Sequence, residues 1–318
     1  MDFYLGLAQV IGIHTLLGLS AWCVLHTGQV SLAQGGFFAV GAYVAGMLTS
    51  MAGWPLIPAL AMGSLVACMV AITVGFPALR IKGLMLVVAT TAFSEIVRLV
   101  FFNLKWRVET ADGLVGPDGS LGFGGIRYFP SNGWTTFEVN LLIWFFVAIV
   151  MLILWALDRS RIGTIWRAVG EDELAAQSIG INLTSAKVSA FGIGGAIAGL
   201  SGGLFSHYAT HIEHSNFGIL LATFAIAYPI LGGLASLAGT LIAVIFIQGF
   251  LLEGLRFLGD WRSLLFGVLI VIVMLVRPSG FLKRALGFGR SNRQADAGPR
   301  GADGAHTPAN PDGGIHRA

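Results

Sequence analysis

The chain has 318 residues, 55% of them hydrophobic and 11% charged, with a net charge of +3 and a mean hydropathy of +0.79. An ordinary soluble domain carries charge on about a quarter of its residues, so this composition excludes one. A bilayer accommodates it, because a spanning helix needs about 20 mostly apolar residues. The basic residues sit in loops and the tail rather than on one stripe, which argues against nucleic-acid binding. Cys23 and Cys68 lie inside apolar runs and read as small buried hydrophobes, not as a disulfide or metal ligands.

Apolar runs follow in order at residues 5–25, 32–51, 56–79, 84–104, 137–157, 188–205, 217–231, 237–252 and 264–276. Several are short or interrupted by glycine. The expected fold is an all-α, polytopic membrane helix bundle of about eight to ten spans. Its permease-like domain occupies residues 1–285, and residues 286–318, poor in apolar side chains, are expected to be a disordered cytoplasmic tail. No basic segment precedes the first run, so it is expected to remain as a span rather than be cleaved. The 44 glycines fit closely packed membrane helices, since lipid supplies no hydrophobic drive between them.

Lys and Arg near the span ends orient the bundle. Arg80 and Lys82, then Arg159, Arg161 and Arg167, then Arg277, Lys283 and Arg284 are expected to be cytoplasmic, and the intervening numbers of spans agree. The 105–136 loop then faces outward, although it carries Lys105, Arg107 and Arg127. An internal echo joins Gly28-Gln-Val-Ser-Leu-Ala-Gln-Gly35 to Gly232-Gly-Leu-Ala-Ser-Leu-Ala-Gly239, each dividing two apolar runs. It reads either as a transporter repeat, parallel or inverted, or as chance similarity between sequences built from few residue types.

The polar insert at 158–187 is much longer than a turn requires. Within it, Glu171-Asp172-Glu173-Leu174-Ala175-Ala176-Gln177-Ser178-Ile179-Gly180 reads as one short helix. Its three leading acids complement the helix dipole, and Gly180 stops it. Leu174, Ile179 and Ile181 supply apolar knobs suited to a partner's groove. The alternative, a helix resting on lipid headgroups, would press its acids against an anionic leaflet.

Two Glu-x-x-Arg pairs, Glu95 with Arg98 and Glu253 with Arg256, share a helix face at i, i+3. The orientation puts both towards the outer ends of their spans, as vestibule groups or as self-paired structural clamps. His207, His211 and His214 with Glu213 form a cluster, but the H-E-x-x-H pattern of a metal hydrolase is absent and no metal is expected. No G-x-x-x-x-G-K-[ST] phosphate loop occurs, so ATP hydrolysis by the usual route must belong to another polypeptide.

Arg161-Ile-Gly-Thr-Ile-Trp-Arg167 followed by 171–182 resembles the inner-membrane permease subunits of bacterial branched-chain amino acid ABC importers, of the LivM type. Leu16-Leu-Gly-Leu19 with Thr27-Gly-Gln-Val-Ser-Leu-Ala-Gln-Gly-Gly-Phe-Phe-Ala-Val-Gly-Ala-Tyr43 is similar to that family's first long motif. Leu79-Arg-Ile-Lys-Gly83, Thr91-Ala-Phe-Ser-Glu-Ile-Val-Arg98, Gly116-Pro-Asp-Gly119, Leu231-Gly-Gly-Leu-Ala-Ser236 and Arg277-Pro-Ser-Gly-Phe-Leu282 continue the match in order. The resemblance departs at the docking motif Glu-Ala-Ala-x-x-x-Gly. With Gly180 aligned, Ala175 and Ala176 match, but Leu174 stands where the Glu would be and Glu173 comes one place early.

The resemblance implies a multi-pass protein of the bacterial inner membrane that is not an enzyme. Its implied partners are a second permease subunit of LivH type, two cytoplasmic ATPases that bind ATP and Mg, a periplasmic amino-acid-binding protein, and the bilayer. Arg161, Arg167, Glu171, Asp172, Glu173, Ala175, Ala176 and Gly180 would form the ATPase-coupling loop. An apolar zwitterion needs a path of small residues and few fixed charges. Gly28, Gln29, Ser31, Gln34, Gly35, Gly232, Gly233 and Ser236 are the candidates, with helix packing the competing role for each glycine. Other cargo (urea, short amides, aromatic acids), an ion-coupled transporter relying on Glu95 or Glu253, and an intramembrane enzyme built on the histidines are the alternatives.

Overall fold

The computed structural model describes residues 2–254 apart from 79, 80, 82, 111, 112 and 235, and scattered positions between 259 and 272. Arg80, Lys82, Arg256, Arg277, Lys283, Arg284, the 286–318 tail and most of the 264–276 run lie outside the described residues. The chain is a helix bundle, as its composition requires. Among the described residues, six helices are long and apolar enough to cross a membrane. They include α1 (Asp2–Leu25), α3 (Leu56–Ala78), α4 (Leu84–Asn103), α6 (Thr136–Arg159) and α9 (Leu183–Ala209). The sixth is a 3-10 turn, His214–Phe217, running into α10 (Ile219–Gly232). Two shorter traverses complete the described bundle: α2 (Gln34–Ser50), and α11 (Leu237–Val244) continued by a π-helical stretch, Ile245–Gly254.

Contacts between helix ends define two faces, named outer and inner after the orientation expected from the basic residues. At the outer end Gln9 Nε2 donates to Thr136 O (2.8 Å), and Thr49 Oγ1 lies 2.9 Å from His207 Nε2. At the inner end His26 lies 3.2 Å from Asp158, and Trp22 Nε1 donates to Leu234 O (3.0 Å). The traverses therefore alternate in the sense expected from the basic residues. α1 and α10 run the same way, with Gly18 facing Tyr228 and Trp22 reaching Leu234, while α2 and α11 return. The two hairpins that carry the echo thus have the same sense, which answers the parallel-or-inverted question for them.

The centre is a seam of small residues shared by α2, α3 and α9. A Cβ placed on Gly41 would overlap the backbone of Gly199, and one on Gly202 would overlap the carbonyl of Phe38. Gly199 and Gly195 lie equally close to Ala67 and Ala71 of α3. Hydroxyls stitch the seam to its neighbours: Ser64 Oγ donates to Ala196 O (2.7 Å), and Ser201 Oγ to Ile13 O (2.7 Å). The outer loop holds structure that periodicity does not announce. Strands β1 (Val108–Thr110), β2 (Gly113–Pro117) and β3 (Phe123–Gly124) form an antiparallel sheet, with Val108 opposite Val115 and Gly116 opposite Gly124. The bridge between Phe123 and Ile212 ties this sheet to the end of α9, and the short α5 (Tyr128–Ser131) follows it.

Gly41→Val is expected to lower stability by at least ~1–3 kcal/mol through overpacking. Gly249→Ala, whose Cβ would meet nothing nearer than Ile11 Cδ1 at 3.8 Å, leaves it unchanged. Thermal unfolding of the purified protein in detergent, followed by size exclusion, checks the contrast.

Candidate functional site

Two features at the inner end carry the site: the α6–α9 connection and two breaks in the membrane helices. The connection is two helices, not one. α7 (Arg161–Glu171) and α8 (Glu173–Ser178) meet at Asp172, whose Oδ1 accepts from Leu174 N (2.8 Å) and Ala175 N (3.1 Å). This corrects the single helix expected over 171–180. Glu171 ends α7, Asp172 caps α8, and only Glu173 stands in the first turn of α8. An Asp side chain competes for backbone N–H groups so well that it starts a helix where the acid run suggested continuity.

Each motif residue here has a local reason. Ser160 Oγ accepts from Ile162 N (3.2 Å) and caps α7. Gly163 sits where a Cβ would lie 2.5 Å from the carbonyls of Leu157 and Asp158, so the sharp bend out of α6 needs glycine. Trp166 is buried and donates to Ser189 Oγ (3.1 Å), pinning α7 to α9. Arg167 Nη1 donates to Asp158 Oδ1 (2.7 Å), while Arg161 is exposed. Gly180, at φ +85°, ends α8, and Asn182 Oδ1 caps α9 through Ser185 N (3.0 Å).

Charge on α8 falls differently from the expectation. Glu173 turns inward, its Oε1 2.6 Å from Nζ of Lys187, a lysine only 4% exposed. Ala176 is buried, Ala175 is exposed, and Ile181 is half-buried against the core. Leu174 and Ile179 stand out at 75% and 74% exposure. The outward face of α8 therefore presents Leu174, in the position of the docking motif's acid, beside the exposed polar side chains of Gln177 and Ser178.

The first break lies between α1 and α2. Chain that leaves the helix at bilayer depth must find its hydrogen bonds in protein. Here α4 supplies them: Leu32 N donates to Thr90 Oγ1 (3.0 Å), Ser94 Oγ donates to Leu32 O (2.7 Å) and accepts from Gly36 N (3.3 Å). Gln29, Ser31 and Gln34 are all buried; Ser31 Oγ accepts from Ala33 N, and Gln34 Oε1 lies 3.3 Å from Ser20 Oγ. Gln29 Oε1 and Gln34 Nε2 meet no partner among the described residues. Gly28 takes φ +74° with Gly170 of α7 against it, so this break touches the connection directly. Gly35 packs on Ala222 of α10.

The second break follows α10. Gly233 turns the chain at φ +89°, Ser236 Oγ accepts from Gly239 N (3.3 Å) and caps α11, and the backbones of Gly232 and Gly239 touch. Gly28, Gly35 and Gly232 thus serve close packing, while Gln29 and Gln34 carry unspent hydrogen-bonding groups. Intramembrane polar residues were the signal that could have found three further groups. Tyr228 Oη accepts from Gln248 Nε2 (2.7 Å) and lies 2.9 Å from His14 Nδ1, joining α1, α10 and the π-helical stretch.

The remaining candidates separate. Glu95 and Arg98 pair with one another, Nε to Oε1 at 2.9 Å, in the half of α4 that leads to its outer end. Glu253 lies at the outer end with Gly6 and Tyr208. His207 is buried, with Nδ1 donating to Gly203 O (2.6 Å); His211 stands 3.4 Å from Glu213, and His214 meets the edge of Phe102. The described residues contain no group of three His, Cys, Asp or Glu side chains arranged to hold a metal.

Over residues 3–274 the sequence matches the family of the branched-chain amino acid transport system / permease component. The chain belongs to that family. This permease is a multi-pass protein of the inner membrane. It is 29% identical over 298 residues to the high-affinity branched-chain amino acid transport system permease protein LivM of Salmonella typhimurium, an alignment covering 87% of this chain and 69% of that protein. The LivM protein of Escherichia coli K12 matches to the same extent. The fructose import permease protein FrcC of Rhizobium meliloti is 24% identical over 276 residues, covering 84% and 75%. No solved structure matches.

The contact between break and connection is pH-sensitive. Burial lowers the pKa of His26 below its ordinary value, outweighing the rise that Asp158 causes, and Arg167 adds to the lowering. Stability from the neutral ring is therefore complete above about pH 6.5 and lost as the pH falls through the depressed folded value. Amide exchange across residues 158–171, corrected for intrinsic rates, is expected to accelerate between pH 7.5 and 5, and not in His26→Gln. Ser94→Ala strands Gly36 N and Leu32 O at a cost of ~1–3 kcal/mol each, and is expected to lower the melting temperature by several degrees.

Proposed function

We propose that this permease is one membrane subunit of a binding-protein-dependent importer for branched-chain amino acids. It works by alternating access, with separate ATPase subunits binding ATP and Mg. The observation that carries the reading is the alignment to LivM proteins across 87% of this chain, beside a family match over residues 3–274 that takes in both breaks and the α6–α9 connection. The geometry gives it a mechanism. Leu174 and Ile179 on α8 offer an ATPase groove two apolar anchors, the mode by which a short helix docks. Force on α8 passes through Glu173–Lys187 to α9, and through Gly170–Gly28 to the break between α1 and α2.

Gln29, Ser31 and Gln34 then serve as hydrogen-bonding groups on a path otherwise walled by small residues. A second permease subunit of LivH type would close the other side of that path, and a periplasmic amino-acid-binding protein would deliver to the outer end. Fructose and autoinducer 2 permeases are also similar to this chain, at 24% identity, which makes a hydroxylated solute the second reading.

Reconstituted with its ATPases, companion permease and binding protein, the chain is expected to take up leucine only with ATP, and fructose not at all. Leu174→Asp is expected to cut ATP-driven uptake at least tenfold while leaving the protein monodisperse. Uptake without nucleotide, or undiminished in Leu174→Asp, counts against the mechanism.

A further inference from the structure

A cavity of about 280 Å³ lies at the inner end, between the first break, the start of α4, and the first turns of α8 and α9. Among the described residues, three kinds of chemistry line it. Lys187 and Glu173 contribute an ammonium and a carboxylate 2.6 Å apart. Gln29, 5% exposed, contributes an amide oxygen with no hydrogen-bond partner among the described residues. Val30, Leu86 and Val87 supply an apolar wall. Buried polar atoms without partners are rare enough that each needs a reason.

The complement of this lining is a small zwitterion with an aliphatic side chain. Its carboxylate would take the place of Glu173 on Lys187. Its ammonium would bridge the Glu173 carboxylate and Gln29 Oε1. The amide oxygen of Gln29 thereby gains a donor. The side chain would rest on Val30, Leu86 and Val87. Pockets for drug-sized ligands start at about 300 Å³, so the cavity suits an amino acid and excludes bulkier solutes.

We infer that this cavity, which meets the proposed path at Gln29, is an inner-face binding site for free aliphatic amino acids, and that imported product occupying it slows the transport cycle. The inference rests on the cargo reading above. The regulatory consequence follows from position: a ligand there ties α8, α9, α4 and the first break together. A ligand that prefers one conformation shifts the population towards it, and these segments must move for the cycle to turn.

Two measurements test it. Tritiated L-leucine binding is followed on the purified full chain in nanodiscs, without binding protein or nucleotide. ATP-driven leucine uptake by the complete importer is followed with leucine preloaded on the ATPase side. Saturable binding is expected, competed by isoleucine but not by 4-methylpentanoate or isoamylamine, which lack one charge each. Lys187→Met is expected to weaken binding at least tenfold, and so is Val87→Phe, which fills the cavity and keeps the ion pair. Uptake by the unaltered importer is expected to fall at least twofold as internal leucine reaches millimolar levels, and Val87→Phe to lose that response. Absence of saturable binding, binding that survives both substitutions, or uptake indifferent to internal leucine overturns the inference. If leucine is not imported at all, the cargo reading falls, and the binding measurement still decides the site.

Discussion

Close approach of backbones along α2, α3 and α9 is the constraint on which the rest of the structure depends. In a bilayer, apolar side chains gain nothing by leaving lipid for another helix, so packing and hydrogen bonds must hold the bundle. Gly41, Gly199 and Gly202 let carbonyl groups of neighbouring helices come into contact, and Ala67 and Ala71 continue the seam. With α2 held there, the segment before it cannot drift. The break at 28–33 is carried to a fixed place beside α4, where Thr90 and Ser94 satisfy its backbone.

From that arrangement the inner end follows. Gly28 meets Gly170, Trp22 meets Leu234, and Lys187 meets Glu173, so the connection, both breaks and α9 form one mechanical unit. Few of these contacts are hydrophobic. They are glycine backbones, a single hydrogen bond and an ion pair. Such contacts let a face rearrange between discrete states, where a fully interdigitated apolar core would resist. The apolar groups left outward on α8, Leu174 and Ile179, are those a partner could use.

Much of this was legible in the residues. Hydropathy marked the traverses, Lys and Arg gave their alternation, and the echo marked both breaks. Other features escaped for physical reasons. The outer sheet is built from strands of two to five residues, too short for period-two alternation to register. Asp172 divides α7 from α8 by a side-chain cap, which looks in sequence like part of an acidic first turn. His14, Tyr228 and Gln248 lie on separate segments, and nothing local links them.

What the sequence alone determined is the solvent the protein lives in, the alternating sense of its helices, and where the two glycine-rich breaks fall. These are properties of composition and of nearest neighbours along the chain, and they survive without knowledge of any contact. Only the tertiary structure decided which charges are free. Glu173 reads as a docking acid until α9 brings a buried lysine to it, and Gln29 reads as one polar residue among several until the surrounding helices leave its oxygen unpaired. A side chain's role depends on the groups that distant segments place around it. Spacing along the chain does not carry that information.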